Sequence, residues 1–107
     1  MADFLGLMKQ AAELKSKMET MQAELDSVEV EGTSGGDMVK VKLSGKGELK
    51  AVHVDESLFK PSDREIVEDL IVAAHAEARR KVEALMQAKM KAVTGGLPLP
   101  PGVNLFG

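Results

Sequence analysis

Apolar residues recur along the first quarter of the chain with the alternating four- and three-residue spacing of a heptad repeat. The spacing holds from Leu7 to Val28 without a break. No glycine or proline lies between Lys9 and Glu31, so the pattern predicts one long helix over residues 3–28, about 39 Å in length. A helix of this kind is marginal alone in water, so its apolar seam must lie against another helix. The seam consists of Leu7, Ala11, Leu14, Met18, Met21, Leu25 and Val28.

The composition limits what this helix can belong to. The chain has 107 residues, of which 44% are hydrophobic, and 14 basic residues stand against 17 acidic ones. This size predicts one small domain and excludes a multidomain enzyme. Three phenylalanines are the only aromatic residues and cysteine is missing, so the core must be aliphatic, and disulfides, thiolate zinc sites and cysteine nucleophiles are excluded. With no signal-peptide pattern and no apolar run approaching a membrane span, we expect a cytoplasmic protein.

From Val28 the spacing of apolar residues changes from about 3.5 to 2. Three short segments then alternate apolar with polar or small residues, which predicts three β-strands. Glycine-containing segments of hairpin length, 32–37 and 45–47, separate them, so an antiparallel meander is the economical topology. One face is apolar, and the other carries charges typical of cross-strand pairing. The apolar positions are Val28, Val30, Val39, Val41, Leu43, Val52 and Val54, and the charged ones are Glu29, Glu31, Lys40, Lys42, Glu48 and Lys50.

The segment 61–65 predicts the start of a second long helix. Ser62 has the position of an N-cap, and Glu65 completes a capping box. Apolar residues at helical spacing continue to about Val93, which predicts a helix about 46 Å long. The predicted fold is therefore α+β, with a single helix-meander-helix domain over residues 1–94 and a Gly/Pro-rich tail over 95–107 that we expect to be extended or disordered. The apolar stripe of the helix is Val67, Ile71, Ala74, Ala78, Val82 and Leu85.

The predicted helices are too long for the predicted sheet. Three strands make a sheet about 14 Å wide and about 20 Å long, so both helices must overhang it. An apolar overhang normally marks an interface, which favours an obligate homodimer. The alternative is a monomeric helix hairpin in which the heptad seam is a coincidence. The predicted interface residues are Leu7, Ala11, Leu14, Met18, Met21, Leu25, Val67, Ile71, Ala74 and Ala78.

The sequence carries no recognisable catalytic arrangement. The two histidines, His53 and His75, are not part of a motif with a serine nucleophile. The segment 75–77 lacks the cysteine pair of a zinc deaminase, and the Gly-Lys-Gly at 45–47 has neither a third glycine nor a following helix. We therefore expect neither an enzyme nor a bound metal or cofactor.

Charge is unevenly distributed along the second helix. Residues 61–75 hold four acids and one base, whereas residues 76–93 hold five bases and two acids. Complementarity to the helix dipole explains part of this polarity. However, Arg80, Gln87 and Lys91 also share one helix face, with about 16 Å between the two bases, and such a face could follow DNA phosphates. On the first helix, Glu13 has the spacing of an ion-pair partner for the lysines on either side, which favours a solvated, self-neutralised surface.

With the order of elements established, several short motifs become recognisable together. No single motif is specific, but their order and spacing over about 95 residues resemble the YbaB/EbfC family of small bacterial nucleoid-associated proteins. The motifs are LMKQA at 7–11, Lys17-Met18, GTSGG at 32–36 before Val39-Lys40-Val41, Asp55-Glu56-Ser57-Leu58, EDL at 68–70, Ala78-Arg79-Arg80, Lys89-Met90 and LPPG at 99–102.

The resemblance implies a tweezer-shaped homodimer that binds double-stranded DNA in the nucleoid with little sequence preference. It also implies an association with recombination and repair proteins or with gene regulation. Without stacking aromatics, the contacts should be mainly to phosphate and strongly dependent on salt. The resemblance carries over Lys9, Lys17, Arg79, Arg80 and Lys89 by position as candidate DNA-binding residues. Lys91, on the basic face of the second helix, and Lys15, the remaining base of the first helix, complete the candidates.

The proline-rich tail favours an alternative function. Extended Pro-rich segments lose little entropy when they dock in apolar grooves. In this alternative the protein is a non-catalytic interaction scaffold, with LPLPPGVNLFG as its ligand segment. A disordered terminus, or a strap over the protein's own dimer, would give the same composition.

Overall fold

The computed structural model describes residues 2–94, and the predicted tail at 95–107 lies outside these residues. Two long helices flank a three-stranded sheet, which confirms the predicted α+β fold. Two short 3-10 helices connect the sheet to the second long helix. The elements are α1 (Ala2–Ser27), β1 (Glu29–Ser34), β2 (Val39–Ser44), β3 (Leu49–Val54), the 3-10 helices Glu56–Leu58 and Pro61–Asp63, and α2 (Arg64–Thr94).

The sheet is the predicted antiparallel meander, with β2 in the centre. Val30 lies opposite Leu43 in the β1–β2 pair, and Val41 lies opposite Val52 in the β2–β3 pair. The first strand is longer than predicted, because residues 32–34 pair with β2 instead of belonging to the loop. The hairpin turn is confined to residues 35–38, in which Asp37 has a positive φ of 70°.

The extension of β1 depends on close contact with α2. A Cβ on Gly32 would clash with the carbonyl oxygen of Ala74 and lie 2.5 Å from the backbone nitrogen of Ala78. Two residues on, the Ser34 hydroxyl donates to the carbonyl oxygen of Leu70 at 2.6 Å. Gly32 is therefore a strand residue whose missing side chain lets α2 pack directly on the strand backbone, whereas Gly35 and Gly36 belong to the turn, where both have a positive φ.

The main core lies between α2 and the inner face of the sheet. Val39, Val41 and Leu43 point from β2 towards α2 and are almost completely buried. Ala74 and Ala78 are equally buried on the helix, and their small side chains allow the helix to approach β1 closely. Val67, Ile71, Ala74, Ala78 and Val82 of the predicted α2 stripe all lie in or against this core. The last member, Leu85, packs against a second core instead.

A second core joins α1 to the end of α2. Met21 and Leu25 are buried against Met90 and Val93, with Leu14 and Met18 packed around them. The first half of α1 does not take part, since residues 3–13 are exposed. The heptad seam is therefore buried within the subunit over its second half and is open over its first half. The Cα atoms extend over 72 × 27 × 16 Å, as expected when two helices project beyond a small sheet.

The start of α2 differs from the prediction. Pro61, Ser62 and Asp63 form a 3-10 turn that runs directly into α2 at Arg64. Ser62 is therefore not an N-cap and the predicted capping box is wrong. The residue that precedes the turn, Lys60, provides the extended backbone from which the turn begins, without a side-chain cap. The proline at the first position of the turn suits it because its missing N–H and fixed φ cost nothing there.

Candidate nucleic-acid interface

Arg80, Gln87 and Lys91 are exposed on the outward side of α2. The helix is unbroken from Arg64 to Thr94, so the spacing of these residues places them within about 40° of one another around its axis. No acid within residues 2–94 forms an ion pair with either base.

Two of the other predicted bases of α2 already have acidic partners. The guanidinium of Arg79 lies 3.8 Å from a carboxylate oxygen of Glu83, one turn further along the helix. The ammonium of Lys89 lies 2.7 Å from a carboxylate oxygen of Glu24 on α1. Lys89 therefore links the two helices as well as presenting a charge.

The bases of α1 are exposed but do not share a face. Lys9, Lys15 and Lys17 point in directions that differ by roughly 80° to 160° at about 100° per residue. The predicted pairs of Lys9 and Lys17 with Glu13 are not formed within ion-pair distance in the part of the chain that is described. Exposed ion pairs of this kind contribute little to stability, because holding two long side chains in one geometry costs entropy.

The structure brings Lys17 and Lys89 to the same shallow groove between α1 and α2. Thr20 and Glu24 line the α1 side, and Val93 lines the α2 side. Lys89 and Lys91 are separated by about 200° around α2, so this groove and the Arg80–Lys91 face are different surfaces. The candidate bases are thus divided between the groove, the outward face of α2 and the free part of α1.

The outer face of the sheet is a further basic surface, whose residues are not among the predicted DNA-binding residues. Lys40, Lys42 and His53 lie around a shallow depression there, together with Glu31. Lys42 is in register with Glu31, as the charge pattern predicts. Lys50 pairs with Glu48, two residues earlier in the chain, at 3.3 Å. The alternation of lysines along β2 was the signal in the sequence for this surface.

Several residues of the predicted dimer interface pack inside the subunit instead. Met21, Leu25, Ala74 and Ala78 are buried in the two cores. Leu14, Met18, Val67 and Ile71 are partly buried against the same cores, whereas Leu7 and Ala11 are exposed.

A different apolar surface lies beside α2, where β3 is left uncovered. Leu49, Val52 and Val72 are 58%, 43% and 69% exposed. They line a groove with Ile71 and His75. The sequence could not reveal this surface, because the alternation of β3 does not show that α2 covers β1 and β2 and leaves the third strand open.

Asp55 has a local structural role at the end of β3. The hydroxyl and the backbone N–H of Ser57 donate hydrogen bonds to its carboxylate and hold the pKa of Asp55 below its usual range. The backbone N–H of Asp55 in turn donates to the carbonyl oxygen of Met38 at 2.7 Å. The carboxylate therefore caps the first 3-10 turn.

Within residues 2–94, no helix is long and apolar enough to cross a membrane.

The model of the YbaB/EbfC DNA-binding family matches residues 1–97. A "nucleoid-associated protein" of Rhodopseudomonas palustris (strain TIE-1) is 63% identical over 105 residues, covering 98% of this chain and 99% of the relative. A protein of the same description from Nitrobacter hamburgensis has the same identity and coverage.

The fold also resembles a solved structure. The crystal structure of an uncharacterized Helicobacter pylori protein, HP0035, superposes with a TM-score of 0.66 over 92% of this chain and 97% of the other. The two sequences are 21% identical, so this likeness concerns the fold alone.

Proposed function

Because the chain belongs to the YbaB/EbfC DNA-binding family, we propose that it is a nucleoid-associated protein that binds double-stranded DNA as a homodimer. The proposed contacts are mainly to phosphate and have little sequence preference. The names of relatives that are 63% identical support the assignment to the nucleoid. A link to recombination, repair or gene regulation is part of the proposal and follows from the family resemblance.

The outward face of α2 carries the proposal. Arg80 and Lys91 are exposed, lie about 16 Å apart along one side of a straight helix, and have no acidic partner among the described residues. Two free cations at this spacing can contact separate phosphates of one DNA backbone. Gln87 lies between them and can donate a hydrogen bond to an intervening phosphate.

The distribution of charge allows binding in spite of the acidic total. Each chain has a formal net charge of −3, and a homodimer would have twice that. The acids of α2 are concentrated near the sheet, over residues 64–75, whereas the bases follow over residues 76–93. DNA can therefore approach a half of the helix in which five bases outnumber the two acids, Glu77 and Glu83.

Dimerisation is proposed through β3 and the groove beside it. Among the described residues, β3 has a strand partner on one side alone, so one edge has free N–H and C=O groups. The adjacent Leu49, Val52 and Val72 supply an apolar surface next to this edge. A second copy can cover both features, and pairing of like surfaces is what a two-fold dimer requires.

Fluorescence anisotropy with two unrelated duplexes of about 30 base pairs, titrated at several salt concentrations, tests DNA binding. We expect equal micromolar affinities and a log–log salt slope of several units. The variant Arg80→Glu should weaken binding to both duplexes alike and lower the slope, because it removes a phosphate contact.

Lys60→Glu is the matched control, since it changes the net charge equally at an exposed position before α2, away from the Arg80–Lys91 face and from β3. It should bind nearly as well as the native protein. Loss of affinity for one duplex alone would contradict phosphate binding, and equal losses in Arg80→Glu and Lys60→Glu would show that total charge matters instead of the α2 face.

A further inference from the structure

The tip of α1 exposes a cluster of large apolar side chains. Phe4, Leu5, Leu7 and Met8 are 64%, 70%, 63% and 57% exposed, and together they form what we call the α1 tip. They are four of the five residues from 4 to 8, so apolar groups project in several directions around the helix. Exposed apolar clusters of this kind normally mark a contact surface.

The end of α2 is directed towards this tip. Lys89 contacts Glu24, whereas Val93, one turn later, lies beside Gln10 and Leu14. The two helices are therefore antiparallel, and the chain leaves α2 at Thr94 alongside the third and fourth turns of α1. The axis of α2, continued beyond Thr94, points along α1 towards the α1 tip.

The chain that follows has the length and composition to cover the tip. Phe4 is ten residues from Leu14, which is about 15 Å along the helix. Thirteen residues follow Thr94, and about five in a polyproline conformation already span 15 Å at ~3.1 Å each. Their apolar members are Leu97, Leu99, Val103, Leu105 and Phe106, with prolines at 98, 100 and 101.

We propose that the C-terminal segment 97–106 docks on the α1 tip of the same chain. The prolines restrict the segment before it docks, which reduces the entropy lost on binding. The same residues would then shield the tip from water and from other molecules. In this arrangement the segment is an internal strap and is not a ligand held out for a foreign partner.

Disulfide crosslinking tests the contact cleanly because the native chain contains no cysteine. Met8→Cys combined with Leu99→Cys should form an intramolecular disulfide under mild oxidation, seen as a faster-running monomer on a denaturing gel. The control pair combines Leu99→Cys with Gln22→Cys, an exposed position of the same helix about 21 Å further from the tip. We expect several-fold more intramolecular crosslink in the first pair.

A covalent dimer formed by the first pair would overturn the proposal, because it would place the segment of one copy on the tip of another. Equal yields in the two pairs would also overturn it. Methyl NMR gives an independent measurement without cysteines. Deleting residues 97–107 should shift the Met8 methyl resonance and leave that of Met38, in the sheet, unchanged; an unshifted Met8 would contradict the docking.

Discussion

The ammonium of Lys89 lies 2.7 Å from a carboxylate oxygen of Glu24, and this ion pair joins α2 to α1 across 65 positions of sequence. It lies beside the second core, in which Met21 and Leu25 pack against Met90 and Val93. Lys89 thus helps to hold the two helices together, whereas Lys91, two residues later, has no ion-pair partner among the described residues.

This difference predicts opposite effects for two equal losses of charge. Lys89→Gln should lower the free energy of unfolding by about 1 kcal/mol or less, as expected for a partly exposed pair, and should change DNA affinity little. Lys91→Gln should leave stability unchanged and weaken binding to DNA of any sequence. Urea denaturation and anisotropy on both variants measure the two effects. A larger loss of DNA affinity in Lys89→Gln would instead assign DNA binding to the groove between the helices.

Gly32→Ala should severely destabilise the protein. Its Cβ would clash with the backbone of α2 at Ala74, and backbone cannot move aside as a flexible side chain can. We expect a loss of about 3 kcal/mol in the free energy of unfolding, measured by urea denaturation. Gly6→Ala is the control, because no atom of the described residues lies within 4 Å of its Cβ position and alanine favours a helix, with a gain of up to about 1 kcal/mol.

Val52→Asp should convert the proposed homodimer to a monomer. The charge would lie on the inner face of β3, within the apolar groove lined by Leu49 and Val72, and burying it at an interface is strongly unfavourable. Ala51→Asp places the same charge on the opposite face of the same strand and should stay dimeric. Sedimentation equilibrium gives the masses, with circular dichroism to verify folding. A native protein that sediments as a folded 11.5 kDa monomer at micromolar concentration would contradict the dimer itself.

Removing residues 97–107 separates DNA binding from the scaffold function that the proline-rich tail also suggests. The Arg80–Lys91 face lies entirely within α2, so the shortened protein should bind both duplexes with unchanged affinity and salt dependence. Anisotropy on the shortened and complete chains measures this. A marked loss of affinity would mean that the tail contributes to the DNA contact.

The long elements were predictable because their signals are local and repeated. The heptad seam of α1 and the apolar stripe of α2 each extend over many turns, so their ends were placed within a few residues. The end of β1 could not be placed in this way. Gly32 belongs to the strand because α2, more than 40 residues later in the chain, approaches the strand backbone there. A capping-box motif at Ser62 was misleading because Pro61 begins a 3-10 turn before the helix.

The sequence predicted which residue types form the candidate DNA-binding site better than it predicted where in the fold those residues lie. The exposure of Arg80 and Lys91 follows from the helical period alone. In contrast, the partner of Lys89 lies on a distant helix, and the open groove at β3 depends on how α2 crosses the sheet. Periodicity identifies the apolar residues of a helix, but it does not say whether they pack within a subunit or between two.

Helix α2 contains neither glycine nor proline over its 31 residues, and it runs without interruption from the sheet core into the pair it forms with α1. Sharp bends in helices almost always arise at such residues or at irregular turns, so this element has no hinge. If two copies join at β3, the gap between their projecting helices cannot be adjusted by flexing either one. A change in that gap, for example to admit a wider or a bent duplex, has to come from rotation of whole subunits about the strand edge they share.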